Sequence, residues 1–83
     1  MSQTEIHVTQ ELDARGLLCP MPVIKTAKAM KELAAGEVLK LTATDRGSIA
    51  DIPAWAETTG NELVDSYEEG DAIVFFLRKA EEA

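Results

Sequence analysis

Pro20 and Pro22 follow directly on the chain's single cysteine, Cys19, and these two ring-constrained residues restrict the local backbone more than anything else in the sequence. A residue before proline is pushed out of the α region, so Cys19 is expected in extended backbone. Proline itself is tolerated in a first helical turn, where amides have no intrahelical partner to lose. Residues 23–34 then continue with helix formers and no further breaker. The pattern predicts Cys19 as the N-cap, Pro20 in the first helical position and Pro22 in the third. The positive end of a helix favours a thiolate, the nucleophilic form of cysteine. The prolines limit that activation, because the amides of residues 20 and 22 are missing and only those of Met21 and Val23 remain to face the sulfur. The expected site is a reactive thiol in a rigid seat, without strong depression of its pKa.

An unpaired cysteine is often a small buried hydrophobe. A proline-bounded junction, where backbone is commonly exposed, argues instead for function at Cys19. Leu17 and Leu18 read as packing residues that anchor the loop, and Arg15 and Gly16 as its turn. One cysteine cannot form an internal disulfide, and with His7 as the one histidine the chain makes a poor metal site. No metal is expected. His7 alternates with Ile6 and Val8, which places it on the wet face of a strand.

The hydrophobic period changes several times along the chain. Loose alternation over residues 5–13 predicts a first strand. A helix is expected over residues 20–34, with Val23, Ile24, Ala27, Met30 and Leu33 on its core face and Gly36 as a stop. A second strand spans residues 37–44, although its first apolar pair blurs the phase. Pro53 complicates the next helix, because proline beyond the first turn removes a hydrogen bond. A single turn from Ser48 followed by a helix over residues 51–59, capped by Asp51 and closed by Gly60, avoids that conflict. Residues 62–67 and 72–78 flank Gly70 as a hairpin. The order βαβαββ implies an α+β two-layer sandwich, with two helices on one face of a four-stranded mixed sheet and the other face more exposed.

With 83 residues and 46% hydrophobic composition, a single domain over residues 1–83 is expected, its core at about 5–79 and its polar termini flexible. No apolar run is long enough to span a membrane, and the polar start lacks the apolar block of a signal peptide, so a cytoplasmic location is expected. The net charge of −7 and only four aromatic residues argue against a nucleic-acid surface. Between residues 15 and 46 the balance reverses: Arg15, Lys25, Lys28, Lys31, Lys40 and Arg46 outnumber Glu32, Glu37 and Asp45 by three. The thiol end is therefore expected to carry a basic flank suited to protein docking.

The run Leu12-Asp13-Ala14-Arg15-Gly16-Leu17-Leu18-Cys19-Pro20-Met21-Pro22-Val23 resembles the Cys-Pro-x-Pro signature of the TusA/SirA family of small sulfur carriers. Thr44-Asp45 followed by Asp51-Ile52-Pro53-Ala54-Trp55 is similar to the family's second motif, and the resemblance covers roughly residues 11–79. It implies that Cys19 accepts sulfane sulfur as a persulfide and passes it on, without a cofactor. The implied partners are a sulfur donor, such as a cysteine desulfurase, a rhodanese or another thiol carrier, and a thiol acceptor protein. Many family members have a second cysteine after the aromatic residue of the second motif; Ala56 stands there in this chain, which favours a single-thiol carrier.

Around Cys19, the residues Pro20, Pro22 and Gly16 are expected to position the thiol. Arg15, Met21, Lys25, Asp45, Arg46 and Trp55 are candidates for the mouth of the site or for partner contacts. Each has a plainer reading: Asp45 as a turn residue, Trp55 as core packing beside Ile52, the cations as solvated charge. Asp51 reads as a structural cap, so the chain offers no second acid or base aimed at Cys19 and reads as a carrier more than a sulfurtransferase enzyme. The rival reading is a regulatory or scaffold domain whose cysteine is a redox sensor or incidental.

Overall fold

A computed structural model of the protein describes residues 6–81. The expected order is found: β1 (Gln10–Ala14), α1 (Met21–Lys31), β2 (Val38–Ala43), α2 (Ser48–Thr59), β3 (Glu62–Glu69) and β4 (Ala72–Arg78). The strands form one mixed sheet in the order β1-β2-β4-β3. β1 runs parallel to β2, with Ala14 opposite Ala43, so α1 is the crossover between them. β4 pairs antiparallel with both β2 and β3.

The core lies between sheet and helices. Leu39, Leu41 and Ala43 of β2 and Ile73, Phe75 and Leu77 of β4 are buried with Met30, Leu33, Ile52 and Ala56 from the helical side. The blurred phase at the start of β2 has a physical cause. Leu39 enters this core, whereas Val38 points to the opposite sheet face and is covered there, beside Ile6, Val8 and Val64. The rest of that open face carries charged and aromatic side chains, among them Tyr67 and Phe76, whose rings lie 6.1 Å apart.

Several expectations need correction. The first strand starts at Gln10, and His7 lies exposed in an irregular segment before it. Residue 5 of that expected strand lies outside the described residues, as do residues 1–4 and 82–83 of the termini expected to be flexible; of the remaining C-terminal residues, the Ala80 amide donates to Asn61 Oδ1 at 2.7 Å. Helix α1 ends at Lys31, and its buried face is set by Pro22, Thr26, Ala29 and Met30, leaving Ile24 exposed. The Lys79 ammonium donates to the Met30 carbonyl at 2.8 Å, beside the Leu33 amide that the same carbonyl accepts at the helix end. Helix α2 runs unbroken from Ser48 through Pro53, capped by Gly47, with Asp51 already inside it. Gly60 ends it in the left-handed region at φ 81, as a C-terminal glycine does most easily. The hairpin is longer than expected: β3 reaches Glu69 and contains a register shift between Leu63 and Asp65.

Candidate functional site

Because β1 and β2 are parallel, their carboxyl ends lie side by side, and the segments leaving them meet at one edge of the sheet. The first segment turns at once: the Leu17 amide donates to the Ala14 carbonyl at 3.2 Å, with Gly16 at φ 83 in the position where glycine avoids a Cβ clash. The Gly16 amide in turn donates to Thr44 Oγ1 at 2.9 Å, fastening the cysteine loop to the end of β2. Leu17 packs against the core, but Leu18 is 72% exposed and anchors nothing.

Cys19 is not the helix cap. Residues 18–21 close a turn of their own, in which the Met21 amide donates to the Leu18 carbonyl at 2.8 Å and the Cys19–Pro20 peptide is cis. Pro20 becomes the N-cap and Pro22 the second helical residue. The Val23 amide donates to the Pro20 carbonyl at 3.1 Å. Both amides that the sequence reading left free for the sulfur are therefore taken by backbone carbonyls.

Two carboxylates take their place. Asp45, just beyond β2, accepts the backbone amide of Cys19 through Oδ2 at 2.9 Å. Asp51, in the first turn of α2, accepts the thiol itself, with Sγ 2.9 Å from Oδ2. The hydrogen bond to Asp51, partial desolvation and the negative charges of Asp51 and Asp45 together raise the Cys19 pKa. The resting thiol is thus held protonated, opposite to the dipole argument from sequence. Asp51 is the residue the sequence reading misplaced. Sequence alone places Asp51 as a cap at the helix start, and nothing local in the chain tells that its carboxylate reaches across 32 residues to the sulfur.

The cations expected near the thiol are engaged elsewhere or point outward. Arg15 forms a two-pronged pair with Asp13, at 2.9 and 3.0 Å, beside an open-face groove of about 540 Å³ that also includes Lys40 and Thr42. Arg46 reaches Glu68 of β3 at 3.1 Å. Lys25, Lys28 and Lys31 are exposed along α1. Trp55 packs against the core one turn beyond Asp51, lining a groove with Ala27 and Met30. Met21, two residues after Cys19, is 40% exposed. Among the described residues, four of the five large exposed apolar side chains, Leu18, Met21, Ile24 and Ile49, belong to the segments that carry Cys19 and Asp51. Among the described residues no group of three His, Cys, Asp or Glu side chains is placed to hold a metal ion.

The family described as Sulfurtransferase TusA matches residues 10–79, the span that contains both the thiol loop and its two carboxylates. The chain belongs to the TusA family. Its similarity to other members is close: it is 56% identical over 77 residues to the putative sulfur carrier protein YrkF of Bacillus subtilis, covering 93% of this chain and 42% of that protein. The chain therefore spans less than half the length of that relative. It is 46% identical over 71 residues to the sulfur carrier protein TusA of Allochromatium vinosum, covering 86% of this chain and 93% of that one. The crystal structure of a SirA-like protein from Desulfitobacterium hafniense superposes with a TM-score of 0.73 at 29% identity, covering 89% of this chain and all of that one. The βαβαββ sandwich is thus the fold of a TusA/SirA-family member, and among its described residues no helix is long and apolar enough to cross a membrane.

Proposed function

We propose that this TusA-family chain is a cytoplasmic sulfur carrier, folded as one domain, that accepts sulfane sulfur on Cys19 as a persulfide and delivers it to the thiol of an acceptor protein. The observation that carries this reading is an exposed cysteine, the single one in the chain, fixed by Asp45 through its backbone and by Asp51 through its side chain. In loading, Cys19 sulfur attacks the terminal sulfur of a donor persulfide. A new sulfur–sulfur bond forms, the donor's bond breaks, and the donor's remaining sulfur leaves with the electron pair and takes up a proton. Delivery is the same exchange in the other direction, with Cys19 as the leaving group. No resolving thiol lies within the chain to collapse the persulfide into an internal disulfide.

The apolar rim of Leu18, Met21, Ile24 and Ile49 supports docking of a protein donor and a protein acceptor at the thiol, because exposed apolar clusters favour protein contact. The exposed lysines of α1 give the helix that follows the thiol loop a basic surface for such a partner. The protonated, carboxylate-bound thiol counts against the redox-sensor alternative, since oxidation-sensitive cysteines are typically low in pKa. The test is intact mass spectrometry after incubation with a cysteine desulfurase and cysteine, beside Cys19→Ser. A gain of one sulfur that dithiothreitol removes and the variant lacks is the expected result. A free thiol that gains no sulfur from a desulfurase, a rhodanese or a small-molecule polysulfide overturns the reading.

A further inference from the structure

The thiol's hydrogen bond to Asp51 has a chemical consequence that depends on whether the sulfur is loaded. Cys19 Sγ lies 2.9 Å from Asp51 Oδ2, and that contact is favourable because the thiol supplies the hydrogen between them. Once sulfur is added, Sγ is bonded to carbon on one side and sulfur on the other and has no hydrogen to give. The proton, if present, sits on the terminal sulfur, and persulfides are stronger acids than thiols, so that sulfur tends to be anionic. An anion beside Asp51 and Asp45 is repelled by both.

The nearby cations do not cancel this repulsion. Arg46, next in sequence to Asp45, is paired with Glu68, Arg15 is paired with Asp13, and Lys25 on α1 is exposed. The backbone contact behaves differently from the side-chain contact. Asp45 accepts the Cys19 amide, a donor that sulfur loading leaves intact. The loop is therefore held in both states, and only the side chain loses its partner.

We propose, on the basis of the carrier reading, that Asp51 acts as a latch that distinguishes the two states of Cys19. It holds the empty carrier's thiol inward as a hydrogen-bond donor and expels the persulfide outward, toward the apolar rim where an acceptor docks. Loading itself releases the latch: the exchange removes the hydrogen from Sγ and places the transferable sulfur where a partner thiol can reach it. After delivery, the Cys19 thiolate takes up a proton and returns to Asp51. Asp51 is thus a positioning residue for both halves of the cycle, and the carboxylate charge is the part that matters.

Asp51→Asn tests this, because it keeps the shape and an acceptor oxygen while removing the charge. Alkylation of Cys19 by iodoacetamide is followed from neutral to alkaline pH in wild type and variant, each first empty and then loaded from polysulfide. In the empty protein the variant should react severalfold faster at neutral pH, with its titration midpoint moved down, since the thiolate is the reacting form. In the loaded protein the variant should react no faster than wild type, because it has lost the repulsion that turns the persulfide outward, so the ratio of loaded to empty reactivity falls severalfold in the variant. A parallel measurement needs no variant: in wild type, loading should shift the Asp51 carboxyl carbon resonance and leave the Cys19 amide resonance nearly in place. Equal midpoints in wild type and Asp51→Asn, or an Asp51 resonance indifferent to loading, overturns the latch while the carrier reading survives. Failure of the wild type to load at all overturns both.

Discussion

Thr26 offers a quantitative test of how the core beneath the thiol helix is built. Its side chain is fully buried on the inner face of α1, and its hydroxyl oxygen finds no hydrogen-bond partner. In a helix this oxygen commonly bonds the carbonyl one turn back, which here belongs to Pro22, but that bond is not made. A buried polar group left unpaired costs about 1–3 kcal/mol. Valine has nearly the same shape, a similar helix propensity and a methyl in place of the hydroxyl. Thr26→Val should therefore stabilise the fold by about 1–2 kcal/mol, taking the lower part of that range because the site accommodates the hydroxyl without displacing its neighbours. For a domain of this size that corresponds to about 5–15 °C in melting temperature. Urea and thermal unfolding followed by circular dichroism measure it. Thr26→Ser, which keeps the hydroxyl and loses a buried methyl, should lose about 1 kcal/mol. The opposite order, with valine less stable than threonine by more than about 0.5 kcal/mol, would refute the assignment and mean that the hydroxyl is partnered in solution.

The Asp13 carboxyl is held down to about 2, first by its side-chain bonds from Arg15 and then by the Arg15 amide. A depressed carboxylate contributes stability that is fully present above its ordinary value of 3.8 and is lost as pH falls through about 2. A carbon-detected NMR titration should place the Asp13 midpoint near that lower value, and Arg15→Ala should return it toward the ordinary one; an unmoved midpoint would count against the pair. In α2, Pro53 cannot donate to the Ile49 carbonyl, a bond that any other residue in this continuous helix would make. Pro53→Ala should raise stability in urea by about 1–2 kcal/mol, part of the roughly 3 kcal/mol by which proline is disfavoured in a helix interior, with the remainder offset by the freer unfolded chain. A loss of stability would show that the ring's packing outweighs the missing bond.

The element order was legible because it rests on local signals. Alternation marks β2, Gly60 stops α2, and Gly70 turns the hairpin between two strand-like runs. The errors have equally local causes. Ile24 is apolar enough to be read as core, yet α1 turns Thr26 and Pro22 inward instead, leaving Ile24 exposed one turn after Met21. Pro53 reads as a breaker, but the surrounding helix tolerates one missing bond, because Ile52 and Ala56 are anchored in the core on either side of it. Local propensity yields to tertiary packing in both cases.

The site was legible in half. The proline pair announces Cys19, and the end of β2 announces Asp45, but their meeting depends on a parallel pairing of β1 and β2 that no short segment encodes. Asp51 was harder still, since an aspartate early in a helix has an adequate explanation in its own helix. What separates the two explanations is electrostatic. Cysteines tuned for steady nucleophilicity sit beside cations or open helix amides, which lower the thiol's pKa. Here the amides are closed by carbonyls, the arginines are committed to other acids and two carboxylates face the sulfur. Such a setting suppresses the free thiolate. It is a poor design for a thiol that must react with any passing electrophile, and it fits the proposed carrier, whose single thiol loses its hydrogen bond to Asp51 when sulfur is loaded.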